Sequence, residues 1–344
     1  MIALVLAAGF GKRLAPLTDR LAKPALPLLG TTLLAVNLRL AQRAGATEVV
    51  VNAHHLPASV ARVAREAAGA LGLRLHLSFE APRILGTGGA LVAARPLLDR
   101  GEPFLVVNGD VLSDVDAAAA VRAHHDSRAV ATLVLRPMPQ GAPFAPVEVD
   151  EGGRIARIAG DGRAVGAGER LTSYLFTGVH VVSSRIFEVL PPAGEACVNR
   201  QGHVRLLALG AHLHAHVDPS GAWSDVGTPE RYLAANLDLL EGRISPASVG
   251  ELRGGAVERG PGIFVHPSAA VDDGATLEGP CFVGARATLG PGARLRSGAV
   301  VLSGASVDGE VRRAVIGPWS YLAAGEVAEG IVVMTGKPPQ NQEA

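Results

Sequence analysis

The sequence predicts an α/β domain built on a mostly parallel sheet, followed by a left-handed parallel β-helix. Two observations carry this. From residue 1 to about 240, short apolar strand-like runs alternate with Ala/Leu/Arg-rich helical patterns, the order that covers a parallel sheet on both faces. From about 263, Val265, Val271, Leu277, Val283, Leu289, Leu295, Val301 and Val307 recur every six residues, with Gly, Ala and Ser between them. No helix or flat strand has a period of six. A parallel β-helix does, each aliphatic pointing into the prism while small residues turn the corners. The left hand is that of known hexapeptide coils.

Ile2–Leu6 is an apolar strand that runs into a glycine-rich turn. Residues 33–44 have apolar side chains at helical spacing, and 48–52 form the next strand. Residues 59–70 then read as helix, 73–79 as strand, 103–107 as a buried strand, 115–124 as helix and 130–135 as strand. Sheets of this kind bind ligands at the carboxyl ends of their strands. Chemistry is therefore expected after Leu6 and after Val107. About three coils fit before the hexapeptide period slips between Asp308 and Val315, where Arg312-Arg313 is expected on a protruding solvated loop. The resulting boundaries are an α/β domain at 1–242, a linker at 243–262, the β-helix at 263–335 and a tail at 336–344.

At 344 residues, 48% of them hydrophobic and 19% charged, the chain can bury a real core and is not a disordered one. Thirty-two basic residues balance 32 acidic ones, so no basic excess invites nucleic acid. Cys197 and Cys281 stand far apart and outside metal-ligand spacing, which fits a reducing compartment. The opening MIALVLAAGFGKRL is too short to span a membrane and has the wrong flanks for a secretion signal. A soluble, cytoplasmic protein without a membrane partner is expected.

Leu6-Ala7-Ala8-Gly9-Phe10-Gly11-Lys12-Arg13-Leu14 lacks side-chain bulk where backbone amides would approach an anion. It is not a P-loop, since no Gly-Lys-Ser/Thr closes it. It is not a dinucleotide fingerprint either, since Leu14 stands where the third glycine belongs. Arg13 can fork onto phosphate oxygens and Lys23 can place a point charge beside them. Alone, such a turn is more often an ordinary strand-to-helix connection with solvated cations. His212, His214 and His216 alternate on one face, but no fourth ligand stands at zinc spacing. His54-His55 reads as a structural or substrate-edge pair.

The segment LAAGFGKRLAPLTDRLAKPALPL resembles the signature of the sugar-1-phosphate nucleotidyltransferases. Leu85-Gly86-Thr87-Gly88-Gly89-Ala90-Leu91, Asn108-Gly109-Asp110, Phe176-Thr177-Gly178-Val179-His180-Val181 and Trp223-Ser224-Asp225-Val226-Gly227-Thr228-Pro229-Glu230 follow in that family's order. The resemblance implies a Rossmann-like nucleotidyltransferase domain, and a β-helix occurs in several branches. It further implies that Leu6, Ala7, Ala8, Gly9, Gly11, Lys12, Arg13, Gly86, Thr87, Gly88, Gly89 and Asn108 bind the nucleotide. Arg13, Lys23 and Asp110 would be catalytic, Asp110 and Asp225 would hold Mg2+, and Glu148, Thr177 and Gly178 would face the sugar phosphate. Two carboxylates suit magnesium, which takes few of them together with phosphate oxygens and water. Thr228 and Pro229 also read as a helix start.

Asn52-Ala53-His54-His55-Leu56, FTGVHV and WSDVGTPERYLAAN with the hexapeptide tail resemble the mannose-1-phosphate guanylyltransferase branch. That implies GDP-mannose as product. A UTP- or dTTP-using glucose-1-phosphate enzyme and a non-catalytic nucleotide-sugar-binding regulator remain as alternatives. On the sugar side the chain departs from the family. Phe144-Ala145-Pro146 stands where Tyr-Gly is common, and Ala159-Gly160-Asp161-Gly162-Arg163 replaces Glu-Lys-Pro. Arg163 is the one cation there to replace the lysine. A homo-oligomer formed through the β-helix is expected.

Overall fold

The computed structural model describes residues 1–219, 222–244 and 251–334. It comprises two compact units, one of residues 1–10 and 37–223, the other of 11–36 and 224–344. The expected tail at 336–344 and residues 245–250 of the expected linker lie outside the described residues.

The first unit is built on one mixed sheet. Its strands are β1 (Ile2–Leu6), β2 (Glu48–Ala53), β3 (Arg74–Phe79), β4 (Phe104–Asn108), β5 (Ala131–Pro137), β6 (Val147–Asp150), β7 (Ile155–Ile158), β8 (Leu171–Val182) and β9 (Leu213–Val217). The order β4-β1-β2-β3 is parallel throughout, Leu4 lying beside both Val50 and Val106. β1, β2 and β4 are almost continuously apolar because both faces are covered, whereas β3 at the edge, RLHLSF, alternates and stays partly exposed. The helices flanking them in sequence are α1 (Leu33–Arg43), α2 (Pro57–Leu71), α3 (Gly86–Ala93) and α4 (Ala117–Ser127). α1, α2 and α4 fall within a few residues of their expected places, and α3 forms over the glycine-rich segment that begins at Gly86.

Beyond β4 the sheet turns antiparallel through β8. One edge of this long strand pairs with β6 near its start and with β4 near its end, while the other pairs with β5. The register slips between Phe176 and His180. Gly178 lies in that slip with φ +84°, and a Cβ there would sit 2.7 Å from the Asn108 side chain. Only glycine meets both demands.

Three buried histidines tie this core to pH. Nδ1 of His180 and Nε2 of His203 lie 2.8 Å apart, both rings fully buried, and His124 reaches the Thr132 hydroxyl at 3.0 Å. Burial keeps them neutral: His124 and His203 are each pushed down to about 4, and His180 is also lowered. The unfolded chain takes up protons near pH 6.5 while the folded one does not. Their contribution is therefore full above that pH and drains away as pH falls toward 4. Urea unfolding at pH 5 should show a loss of about 2 kcal/mol for each of His124 and His203 relative to pH 7.5, with His180 adding in the same direction. Equal stability at the two pH values would contradict this account.

The second unit contains the β-helix. Three sheets of short parallel strands run along it. Val265, Val283 and Val301 stack on one face, Val271, Leu289 and Val307 on the second, and Leu277 and Leu295 on the third. These side chains and the alanines between them form the prism core, in keeping with the left-handed hexapeptide coil. The coil does not stop where the period slips. Leu295 pairs with Val311, Val301 with Ile316 and Val307 with Leu322. Shortened corners after Val307 and after Val311 absorb the missing residues, so the inward positions survive.

Two expectations need correcting. Arg312 is not on a protruding loop but in the strand Glu310–Arg312, paired with Glu310 and Glu329. Within the expected linker, Val257–Gly260 forms a strand antiparallel to the first coil strand, Ile263–Val265. Helix α5 (Pro229–Leu240) and the residue 11–36 segment belong to this unit too. Tyr232 donates from its hydroxyl to the Pro27 carbonyl, Leu29 N–H donates to Asn236 at 3.0 Å, and Gly30 N–H reaches the Leu252 carbonyl at 2.7 Å. Among the described residues no helix is long and apolar enough to cross a membrane.

Candidate active site

In the first unit, the expected residues collect at the carboxyl ends of β1 and β4. Leu6 lies beside Asn108, and Gly109 N–H donates to the Leu6 carbonyl at 2.9 Å. A Cβ at Gly109 would stand 2.6 Å from that oxygen, so glycine here lets the two strand ends close up. Asp110, next in the chain, is half-buried at the resulting rim. Ala7 and Ala8 are buried, whereas Gly9 is exposed with open space around its Cα.

Ala7 N–H donates to Asn52 Oδ1 at 2.6 Å, and Asn52 Nδ2 donates to Glu80 Oε1 at 2.6 Å. The other Glu80 oxygen accepts from Leu85 N–H at 2.7 Å. His54, edge-on to Phe10, bonds the Glu80 carbonyl through Nδ1 at 2.8 Å. Glu80 escaped the sequence reading, and Asn52 entered it only within a family resemblance. The sequence signal was a carboxylate directly after an alternating strand, five residues before the glycine turn.

Gly86, Gly88 and Gly89 open α3, and backbone packing accounts for each. A Cβ at these positions would lie 2.6 Å from Ala196 O, 3.0 Å from the Ala196 and Leu190 side chains, and 2.4 Å from Gly194 O, respectively. Gly88 N–H bonds Ala196 O at 2.7 Å, and the Thr87 hydroxyl accepts from Val198 N–H at 2.9 Å. The half-buried Cys197 lies in this supporting segment, and both cysteines are free.

On the sugar side, the Thr177 hydroxyl is fully buried and donates to Val134 O at 2.8 Å, so it serves the sheet. The Thr177 carbonyl accepts from Trp223 Nε1 at 2.8 Å, and Phe144 stands edge-on to that indole at 5.5 Å. Glu148 is half-buried on β6. Arg163 does not supply the missing cation. It bonds Glu169 with both guanidinium arms and Asp150 at 2.9 Å, and this pairing pulls the Glu169 carboxyl down to about 2. His214 and His216 lie on β9, with His212 just before it, and burial lowers all three. Among the described residues no group of three or more metal-ligating side chains forms.

In the second unit, Gly11 (φ +65°) folds its loop back, and a Cβ there would press on Thr18 at 3.0 Å and on Lys23 at 3.1 Å. Thr18 closes the turn from its hydroxyl to Gly11 O at 3.1 Å. Lys12 and Arg13 are exposed on the short helical turn Lys12–Leu14, and Lys23 is largely buried on Lys23–Ala25. Gly227 brings Arg13 to Asp225: its Cα faces Asp225 Oδ2 and Arg13 Nη2, which would stand 3.1 and 3.3 Å from a Cβ. Arg231, in the first turn of α5, also bonds Asp225 Oδ2. Thr228 caps that helix and Pro229 opens it, as its sequence implies. The unit thus carries Lys12, Arg13 and Lys23 along the loop that Gly11 turns, with Arg13 near Gly227 and Arg231 on the Asp225 carboxylate. Such a set can meet a polyanion.

A family model described as "Nucleotidyl transferase" matches residues 2–242. The chain is 35% identical over 308 residues to a mannose-1-phosphate guanylyltransferase of Mycobacterium tuberculosis, covering 89% of this chain and 81% of that protein. It is 25% identical over 347 residues to a UTP–glucose-1-phosphate uridylyltransferase of Synechocystis sp., covering 97% and 82%. A solved Bacillus anthracis structure, described as a glucose-1-phosphate thymidylyltransferase, aligns with TM-score 0.57 at 20% identity, over 69% of this chain and 94% of that one. At that identity the likeness concerns the fold alone.

Proposed function

The chain belongs to the nucleotidyl transferase family and is a sugar-1-phosphate nucleotidyltransferase; on that premise we propose that it joins GTP to mannose 1-phosphate, giving GDP-mannose and pyrophosphate. The extent of the likeness to the mycobacterial guanylyltransferase carries the choice of substrates. In this reading a phosphate oxygen of the sugar 1-phosphate attacks the α-phosphorus of the triphosphate. The new P–O bond forms as the bond to the β-phosphate's bridging oxygen breaks, and pyrophosphate departs with that electron pair. Both partners are anions, so positioning and charge stabilisation suffice and no covalent nucleophile is required.

Each residue then has a task. The bulk-free backbone of Leu6, Ala7, Ala8, Gly9 and Gly11 lies along the triphosphate. Lys12, Arg13 and Lys23 offset its charge, and Arg13 stabilises the departing pyrophosphate. Gly86, Thr87, Gly88 and Gly89 flank the base, and Asn108 flanks the ribose and phosphates. Glu148 and the backbone at Thr177 and Gly178 face the sugar. Asp110 and Asp225 offer hard oxygen donors of the kind Mg2+ takes, too few alone and sufficient with phosphate oxygens. When bound, Mg2+ would neutralise the charge developing on the phosphates. The β-helix is the surface through which copies would associate.

Release of pyrophosphate over a panel of triphosphates and sugar 1-phosphates tests the reading. GTP with mannose 1-phosphate should exceed UTP or dTTP with glucose 1-phosphate by about tenfold or more in kcat/KM. A preference for UTP or dTTP would replace the product with a glucose nucleotide, as the cyanobacterial relative would suggest. The capture of Arg163 by Glu169 and Asp150 favours a second reading, a regulator that binds a nucleotide sugar without turnover. Silence across the panel, with nucleotide sugar still bound, would select it.

A further inference from the structure

The chain of hydrogen bonds from Ala7 to Leu85 joins two segments far apart in sequence: the turn after β1 and the entry to α3. Every polar atom on its path is spoken for. Asn52 and Glu80 are almost fully buried, so neither can turn to water for a replacement bond. The ends of the path are backbone N–H groups, which can only donate. Ala7 N–H therefore requires an oxygen from residue 52, and Leu85 N–H requires an oxygen from residue 80. Between two donating ends, one amide and one carboxylate satisfy every link. Asparagine followed by glutamate is one such order, and aspartate followed by glutamine is the other. Two amides would leave two donors facing each other, and two carboxylates would oppose two acceptors.

We propose that Asn52 and Glu80 are positioning residues for the nucleoside triphosphate, which fix the spacing between the phosphate-side turn and the base-side turn. This rests on the nucleotidyl-transfer reading, because it takes both turns to hold one ligand. The Glu80 main chain strengthens the tie: its N–H donates to Ala53 O at 2.9 Å and its carbonyl takes the His54 ring. The brace thus spans β2, the first turn and the second turn through a single residue. Losing one link shifts one turn against the other without removing a group that touches substrate. Nucleotide affinity should suffer, and sugar-phosphate affinity should not.

The test is a polarity swap in the full-length protein. GTP and UTP binding by calorimetry, KM for each substrate and thermal unfolding are measured for wild type, Glu80→Gln, Asn52→Asp and the double variant. All the replacements keep the shape of the side chain. Each single variant should bind the preferred triphosphate about tenfold more weakly, the factor that one broken hydrogen bond of ordinary strength represents. The KM for sugar 1-phosphate should stay within about twofold in every variant, since no link on the path belongs to the sugar side. The double variant, with unchanged net charge and every link restored in reverse polarity, should return to within about threefold of wild type.

Normal nucleotide affinity in Glu80→Gln would overturn the proposal, and so would a double variant no better than the worse single one. If a single variant does not fold, the double variant decides alone, by binding nucleotide as wild type does or failing to. A wild-type protein that binds triphosphate but releases no pyrophosphate would sink the catalytic reading and leave this one to the binding data.

Discussion

Asp110→Asn is expected to lower kcat by about a thousandfold or more at saturating magnesium, the scale of losing a charge-stabilising group from a phosphoryl-transfer site. The position of Asp110 is set by its backbone. Leu6 and Asn108 lie side by side at the ends of the two central strands, and Gly109 bonds Leu6 across the seam. That clamp brings the next side chain to the rim where the glycine-rich turn leaves β1. Asparagine keeps the size and shape of the group and removes its charge, so a folding defect is not the expected cause of inactivity. Thermal unfolding should match wild type within about 1 kcal/mol, since the side chain is half-buried and outside the apolar core. Mn2+ binding in the presence of triphosphate should weaken in parallel with the rate. An Asp110→Asn enzyme with near-normal turnover would remove Asp110 from the metal and the mechanism with it.

How much of this was legible follows from how far apart the cooperating residues lie. The β-helix was readable because its rule is local: a side chain every six residues meets its equivalent in the coil above. Even so, the strict count of six lapses after Asp308, because shortened corners break it without moving Val311 or Ile316 off the inner face. The parallel strands were readable from their apolar runs. The antiparallel half was not, because it hangs on one strand that changes neighbours at Gly178, and no local pattern announces such a change.

The glycines of 86–89 have a packing reason that the sequence does not show. They had been assigned to the ligand, and the structure shows the backbone of 194–196 against them, over a hundred residues away. Asn52 and Glu80 were hidden for the same cause, since the bonds from Ala7 to Asn52 and from Asn52 to Glu80 join segments 45 and 28 residues apart. Arg163 shows the opposite error. A cation at a plausible register looked available until Glu169, six residues on, was found holding it. Sequence proximity to a motif does not say where a charge is spent.

Arg13→Ala is the second change with a large expected effect, a fall in kcat/KM for the triphosphate of about a hundredfold to a thousandfold. The argument starts from Gly227. A side chain there would press on both Asp225 and Arg13, so that glycine exists to let a guanidinium and a carboxylate approach one turn of backbone together. Arg231 already bonds Asp225, which leaves Arg13 as the exposed, forked cation of the pair, on the loop that Gly11 folds back toward Lys23. A forked group can hold two oxygens of a phosphate and keep its orientation as charge builds on the leaving side; a point charge can hold one. Arg13→Lys should therefore recover affinity for triphosphate more than it recovers kcat. Alanine should depress both, and steady-state kinetics of the two variants at several GTP concentrations separates the cases. If lysine restored the full rate, Arg13 would be acting through charge alone, and the geometry that Gly227 preserves would need another purpose. If alanine cost less than about threefold, the residue would be a solvated surface cation, and the anion would have to be met by Lys23 and the backbone of the turn.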